Sequence, residues 1–141
     1  MKNYILFFLF STSLIGCATI NIPKNNASIP SKSDMVETSL SYDAALNYLA
    51  KNGYVIDKTN EEAGQIITEY GPMKNSTANT NVRFEGFRTD DGTMNFRSKF
   101  KSQALGENYG CKCGMNGSII SAPFYEMVHA FDGVTVGYSK M

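Results

Sequence analysis

The residues with the most chemical potential in this chain are Cys111 and Cys113, set in the stretch Tyr109-Gly-Cys-Lys-Cys-Gly-Met-Asn-Gly117. One residue separates the thiols, and glycines wall them in. Soft sulfur ligands suit copper(I), and Met115, two residues on, could add a thioether. A structural zinc site wants four N or S ligands, and the only histidine is the distant His129, which disfavours a closed zinc site within one chain. A redox role calls for a thiol of lowered pKa, and only Lys112 supplies positive charge nearby. A local disulfide leads these readings, because residues i and i+2 can reach the Cα separation it needs. So short a loop adds little stability by chain entropy. Free or intermolecular thiols complete the alternatives, and the third cysteine, Cys17, bears on the choice.

Three further groups invite chemistry. His129 falls off the apolar stripe of its helix, with no carboxylate or nucleophile tied to it by spacing, and reads as a solvated residue. Asp90-Asp91-Gly92 hints at calcium but lacks the EF-hand spacing of acidic oxygens, and a hairpin turn explains it better. Arg83, Arg97, Lys99 and Lys101 fall on alternate positions of two strands and form a basic strip. That strip could meet lipid headgroups, cell-wall polymers or a partner protein. As a solvated sheet face, on which Glu85 offsets part of the charge, it needs no function, and that reading leads.

These groups need elements to hold them. In 141 residues, thirteen basic side chains balance thirteen acidic ones, so no field over the whole molecule draws nucleic acid. The length fits a single domain. Met35–Leu40 alternates as a short strand. Ser41 to Gly53 then carries helix signals: a Ser cap, Asp43 early, Lys51 late, and Tyr42, Ala45, Leu46 and Leu49 on one stripe. Gly53 suits the left-handed position after the helix. Tyr54–Lys58 and Gln65–Tyr70 read as strands around a polar turn. Val82–Arg88 and Met94–Lys101 read as a hairpin with Val82, Phe84, Met94, Phe96 and Phe100 inward. Residues 102–118 look irregular. Ser121 is placed to cap a second helix, with Phe124, Met127, Val128 and Phe131 on its apolar face, and Val134–Tyr138 could add an edge strand. The order β-α-β4-α predicts a two-layer α+β domain, an antiparallel sheet with helices packed on one face.

The first residues run Met1-Lys2-Asn3, then an apolar stretch Tyr4–Phe10, then Ser-Thr-Ser-Leu-Ile-Gly-Cys17. A positive start, a short greasy run and small residues describe a secretory signal, too short for a comfortable transmembrane helix. Leu14-Ile15-Gly16-Cys17 resembles the bacterial lipobox. That resemblance implies cleavage before Cys17, a diacylglycerol on its thiol and acylation of its new amino group. In the lipoproteins it resembles, Ala18 rather than Asp at the next position favours the outer membrane. The expected divisions are therefore a signal over 1–16, a lipidated Cys17 with a disordered tether over 17–34, and one α+β domain over 35–141. A polar random coil of that length would lift the domain roughly 20–25 Å off the bilayer. The implied compartment is oxidising, leaving Cys111 and Cys113 as an even pair.

The segment Ser41–Tyr70, helix, Gly-Tyr, strand, acidic turn with Gly, strand, resembles the TATA-binding-protein-like fold of small bacterial lipoproteins. The domains of the C component of the β-barrel assembly machinery are similar. The resemblance implies a periplasmic binding or scaffolding module in envelope assembly, with an envelope protein as partner, no nucleic acid and no cofactor. No HExxH, nucleophile elbow, phosphate loop or convincing carboxylate pair occurs, so an enzyme is not expected. The rival reading is a periplasmic copper-binding or thiol-redox protein centred on Cys111 and Cys113.

Overall fold

The computed structural model describes residues 19–77, 79–114 and 118–141. After a 3-10 turn at Asn26–Ser28 come β1 (Met35–Ser41), α1 (Tyr42–Lys51), β2 (Ile56–Asn60), β3 (Gln65–Thr68), β4 (Gly71–Pro72), β5 (Asn81–Arg88), β6 (Thr93–Ser102), β7 (Gly106–Tyr109), α2 (Ser121–Ala130) and β8 (Thr135–Ser139). The strands form an eight-stranded antiparallel open sheet in the order β2-β3-β5-β6-β1-β8. β4 pairs with the opening residues of β5, and β7 with the closing residues of β6. Two helices pack against this sheet, as the α+β expectation requires. β4 and β7 extend the expected strand set, and β8 takes the anticipated edge.

Local chemistry accounts for most of these elements. Ser41 Oγ accepts from the Ala44 amide at 3.4 Å, with Asp43 in the first turn and Lys51 in the last. Tyr42, Ala45 and Leu49 are buried and Leu46 half-buried, so the expected stripe is the one that packs. Gly53 takes φ 78°, where a side chain would be strained. The β5–β6 hairpin runs in register from Asn81 opposite Lys101 to Arg88 opposite Met94. Period 2 then sends Val82, Phe84, Met94, Phe96 and Phe100 to the buried side.

The two layers meet around Phe131, just past the end of α2. Its ring stacks on Phe96 at 4.4 Å and lies 5.7 Å from Phe84 and 5.8 Å from Tyr48. One side chain thereby joins α1, α2 and the central hairpin. Aromatic pairs at these separations add about 0.5–1.5 kcal/mol each beyond the area they bury.

Two expectations are corrected. Ser121 is the first residue of α2 rather than its cap. Its amide donates to Ser118 Oγ at 3.2 Å, and its own hydroxyl donates to the Ser118 carbonyl at 3.0 Å. The larger correction concerns residues 19–34. They are not a disordered tether but an ordered strap laid antiparallel along the outer side of α2. Pro23, Ile29 and Ser33 are buried. Tyr125 donates to Asn26 Oδ1 at 2.9 Å, and His129 Nε2 lies 2.6 Å from the Asn21 carbonyl. With sheet on one side and strap on the other, every residue from Ser121 to Val128 is buried. Cys17, the signal over 1–16 and Met115 lie outside the described residues.

Candidate functional site

The sheet face away from the helices carries the basic strip. On β5, Arg83, Glu85 and Phe87 point there; on β6, Asn95, Arg97, Lys99 and Lys101. Register sets Arg83 opposite Lys99 and Glu85 opposite Arg97. Like charges directly opposite destabilise a ladder, so this face needs compensation, and Glu85 provides it.

Glu85 is 5% exposed, unusually deep for a carboxylate on an open face. Its Oε1 accepts from Arg83 Nε at 3.1 Å and Nη2 at 2.6 Å. Its Oε2 accepts from Arg97 Nε at 3.1 Å and Nη2 at 3.0 Å, and from the Tyr109 hydroxyl at 3.3 Å. Burial pushes its carboxyl pKa up, but the hydrogen bonds and charges of Arg83 and Arg97 outweigh burial and hold it below the ordinary range.

Two tyrosines complete the layer. The Tyr70 ring lies under Arg83 at 4.8 Å and Lys101 at 4.3 Å. The Tyr109 ring lies under Arg97 at 4.0 Å and Lys99 at 5.3 Å. Each exposed cation–ring contact contributes about 0.5–1 kcal/mol. Glu107 on β7 pairs with Lys99 at 3.4 Å and accepts a short hydrogen bond from Tyr70. That bond lowers the Glu107 pKa, while burial and the same bond raise that of Tyr70. The four sequence-predicted cations are thus brought together, held on aromatic platforms. The four cations face three carboxylates, Glu85, Glu107 and Glu37 of β1 opposite Asn95, leaving a mildly basic, aromatic surface suited to carboxylate or phosphate groups.

Cys111 and Cys113 are bonded to each other, with Cα atoms 5.2 Å apart. Sulfurs paired this way offer no thiolate to copper. The residue between them has the structural role. The Lys112 amide donates to the Ser33 carbonyl at 2.7 Å, its carbonyl accepts from the Lys32 amide at 2.8 Å, and its ammonium donates to the carbonyls of Asn26 and Ile29. Cys-Lys-Cys is a clamp on the strap. Gly110 lets the clamp sit close to α2: a Cβ there would lie 2.5 Å from Ser98 Oγ and 2.7 Å from the Phe124 nitrogen. Tyr109, next to it, belongs to the cation layer, so the clamp adjoins the basic face.

The disulfide gives a first prediction. Its loop is so short that a Cys111→Ser/Cys113→Ser variant should lose only about 1–2 kcal/mol in urea unfolding. The loss should be local: amide exchange at Lys32 and Lys112 should accelerate while the α1 amides stay protected. A global loss several times larger would contradict a purely local clamp.

The remaining candidates have settled places. Asp91 Oδ1 accepts from both Thr89 and Thr93 hydroxyls and from the Thr93 amide, which lower its pKa to about 2. Its carboxylate is part of the hairpin turn. His129 is half-buried rather than freely solvated, and it faces the strap. Sequence reasoning missed Tyr70, Tyr109 and Glu107 as members of the face. It also missed Glu126 (2% exposed), whose carboxylate accepts from the amides of Lys74 at 2.9 Å and Asn75 at 2.8 Å. No group of three or more His, Cys, Asp or Glu could hold a metal among the described residues, and no helix among them is long and apolar enough to cross a membrane.

Fold and face define the class: an α+β open-sheet domain with one side closed by helices and the other presenting cations on aromatic rings. No family model matches the chain, and no curated protein or solved structure is significantly similar to it.

Proposed function

We propose that this chain is a lipid-anchored periplasmic lipoprotein of the outer membrane, attached through Cys17, whose α+β domain binds or scaffolds an envelope protein and does not catalyse a reaction. The observation that carries the reading is the open sheet face, where Arg83, Arg97, Lys99 and Lys101 rest on Tyr70, Tyr109 and Glu85. Cations already held by rings and carboxylates lose less side-chain freedom when a partner's acidic groups arrive, so such a face is pre-organised for binding. Envelope assembly is the setting to which the resemblance of Ser41–Tyr70 points.

The test is site-specific cross-linking in living cells, with a photoreactive residue at Asn95, on the same face. The expected product is one cross-link to a component of the β-barrel assembly machinery, abolished by Lys99→Glu/Lys101→Glu. A cross-link indifferent to that charge reversal would remove the face from the account. Recovery of no envelope protein at all would sink the scaffold reading.

A further inference from the structure

Thr19, the first described residue, is already fixed to the fold. Its amide donates to Thr77 Oγ1 at 2.7 Å, and its carbonyl accepts from the Thr77 amide at 3.0 Å. Ile20 forms a bridge with Ser76, and the Asn21 amide donates to the Asn75 carbonyl at 2.9 Å. Only Ala18 separates Thr19 from Cys17. Two peptide links reach at most about 7 Å, against the roughly 20–25 Å of a free tether. An acyl group on Cys17 would therefore draw the 73–77 loop to the bilayer surface.

That end of the domain has the composition a bilayer surface favours. Residues 19–33 and 71–80 contain Lys24, Lys32 and Lys74 and no Asp or Glu. Lys24 and Lys74 are exposed. The Lys74 ammonium is oriented by the Asn52 carbonyl at 3.1 Å and lies 4.4 Å over the Tyr54 ring. Ile22 is 41% exposed, an apolar side chain three residues from the anchor end of the strap. The nearby Glu126 carboxylate is buried and engaged with the Lys74 and Asn75 amides, so it presents no repulsive charge outward. Two exposed carboxylates border this end: Asp132, beside Lys24, His129 and Lys74, and Glu69, beside Lys74. Lysines near an anionic surface contribute about 1 kcal/mol each, a second signal of the kind that makes lipid anchoring durable.

We propose that this end of the domain, residues 19–24 with 74–77, rests on phospholipid headgroups, with Lys24 and Lys74 at the phosphates and Ile22 at the acyl boundary. The Thr89–Gly92 turn, at the other end of β5, then points away from the bilayer by roughly 25 Å. The basic sheet face stands up from the membrane and is open to a partner from the side. This inference rests on lipidation of Cys17, so its test must separate the two.

The chain contains no Trp, so a single introduced Trp reports alone. Ile22→Trp, Lys24→Trp and Asp90→Trp would be made in the full-length protein, purified with its acyl groups and checked by intact mass. Each would be placed in phosphatidylethanolamine/phosphatidylglycerol vesicles with and without brominated phosphatidylcholine. A face buried about 5–10 Å into the interface predicts an approximately twofold loss of emission from Ile22→Trp, less from Lys24→Trp, and none from Asp90→Trp. Equal quenching of proximal and distal probes, or quenching of neither, in protein of confirmed acyl mass would overturn the orientation while leaving the lipoprotein intact. A mass without acyl chains would overturn the lipoprotein reading and this inference with it.

Discussion

Replacing Glu126 by alanine should destabilise the domain by about 3 kcal/mol, because two amides lose a charged acceptor that nothing else nearby replaces. The carboxylate sits on the buried helix α2 at 2% exposure and receives the Lys74 and Asn75 amides. Hydrogen bonds to a charged group contribute about 1.5–3 kcal/mol each. Part of that is returned because the carboxylate itself no longer has to be desolvated. Glu126→Gln should cost about 2 kcal/mol, since an amide has one acceptor oxygen and would turn a donor toward a donor. Urea unfolding followed by circular dichroism, the chain having no Trp, measures both. The damage should also have a direction. The 73–77 loop holds Thr19 through Thr77, so exchange at Thr77 and Asn21 should rise before the β5–β6 ladder is affected. A loss under about 1 kcal/mol for the alanine variant would contradict this account.

The second large effect is expected at Glu85. Its removal leaves two guanidinium groups facing a missing counter-charge. Breaking a buried ion pair costs about 3–5 kcal/mol. Here the arginine side chains retain 20% and 21% exposure, so hydration recovers part of that, and about 2–3 kcal/mol is expected for Glu85→Gln. The pH dependence carries a definite sign. The folded pKa of Glu85 is lowered, with the arginines outweighing burial. The folded state therefore binds its proton more weakly than the unfolded chain does. The stabilisation is fully present above the unfolded value of about 4.3 and is lost as pH falls through the lower folded value. The stability difference between wild type and Glu85→Gln should be flat from pH 6 to 8 and shrink below about pH 4. A gap that stays constant down to the acid transition would show that packing, not charge, sets the effect.

Local signals made α1 and the central hairpin legible. Cap, stripe and terminal glycine coincide between Ser41 and Gly53, and strict alternation over Val82–Arg88 and Met94–Lys101 fixes which side chains go inward. The basic strip could be placed on one face for the same reason. The burial of Glu85 could not, because it depends on arginines from two strands closing over it and on Tyr109 from a third. Tyr70 and Tyr109 gave no warning either. Each is a single aromatic at a strand end, and its partners arrive only through sheet pairing. The strap was illegible for a different reason. Its apolar anchors, Pro23 and Ile29, have no period, and its hydrogen bonds are made largely by backbone carbonyls, which every sequence possesses. Lys112 looked like charge beside a thiol, whereas its ammonium caps the carbonyls of Asn26 and Ile29.

The strap also dictates an order of events in folding. Its contacts join residues far apart in the chain: Lys112 to Ile29, Tyr125 to Asn26, and His129 to Asn21, separated by 83, 99 and 108 residues. Loop closure over such distances comes after local structure, and non-local contacts slow folding. The middle of the strap must therefore wait for the last helix. Thr19–Asn21 can pair with residues 75–77 as soon as that loop forms, but Asn26 and Ile29 stay undocked until α2 and the Cys-Lys-Cys clamp are in place.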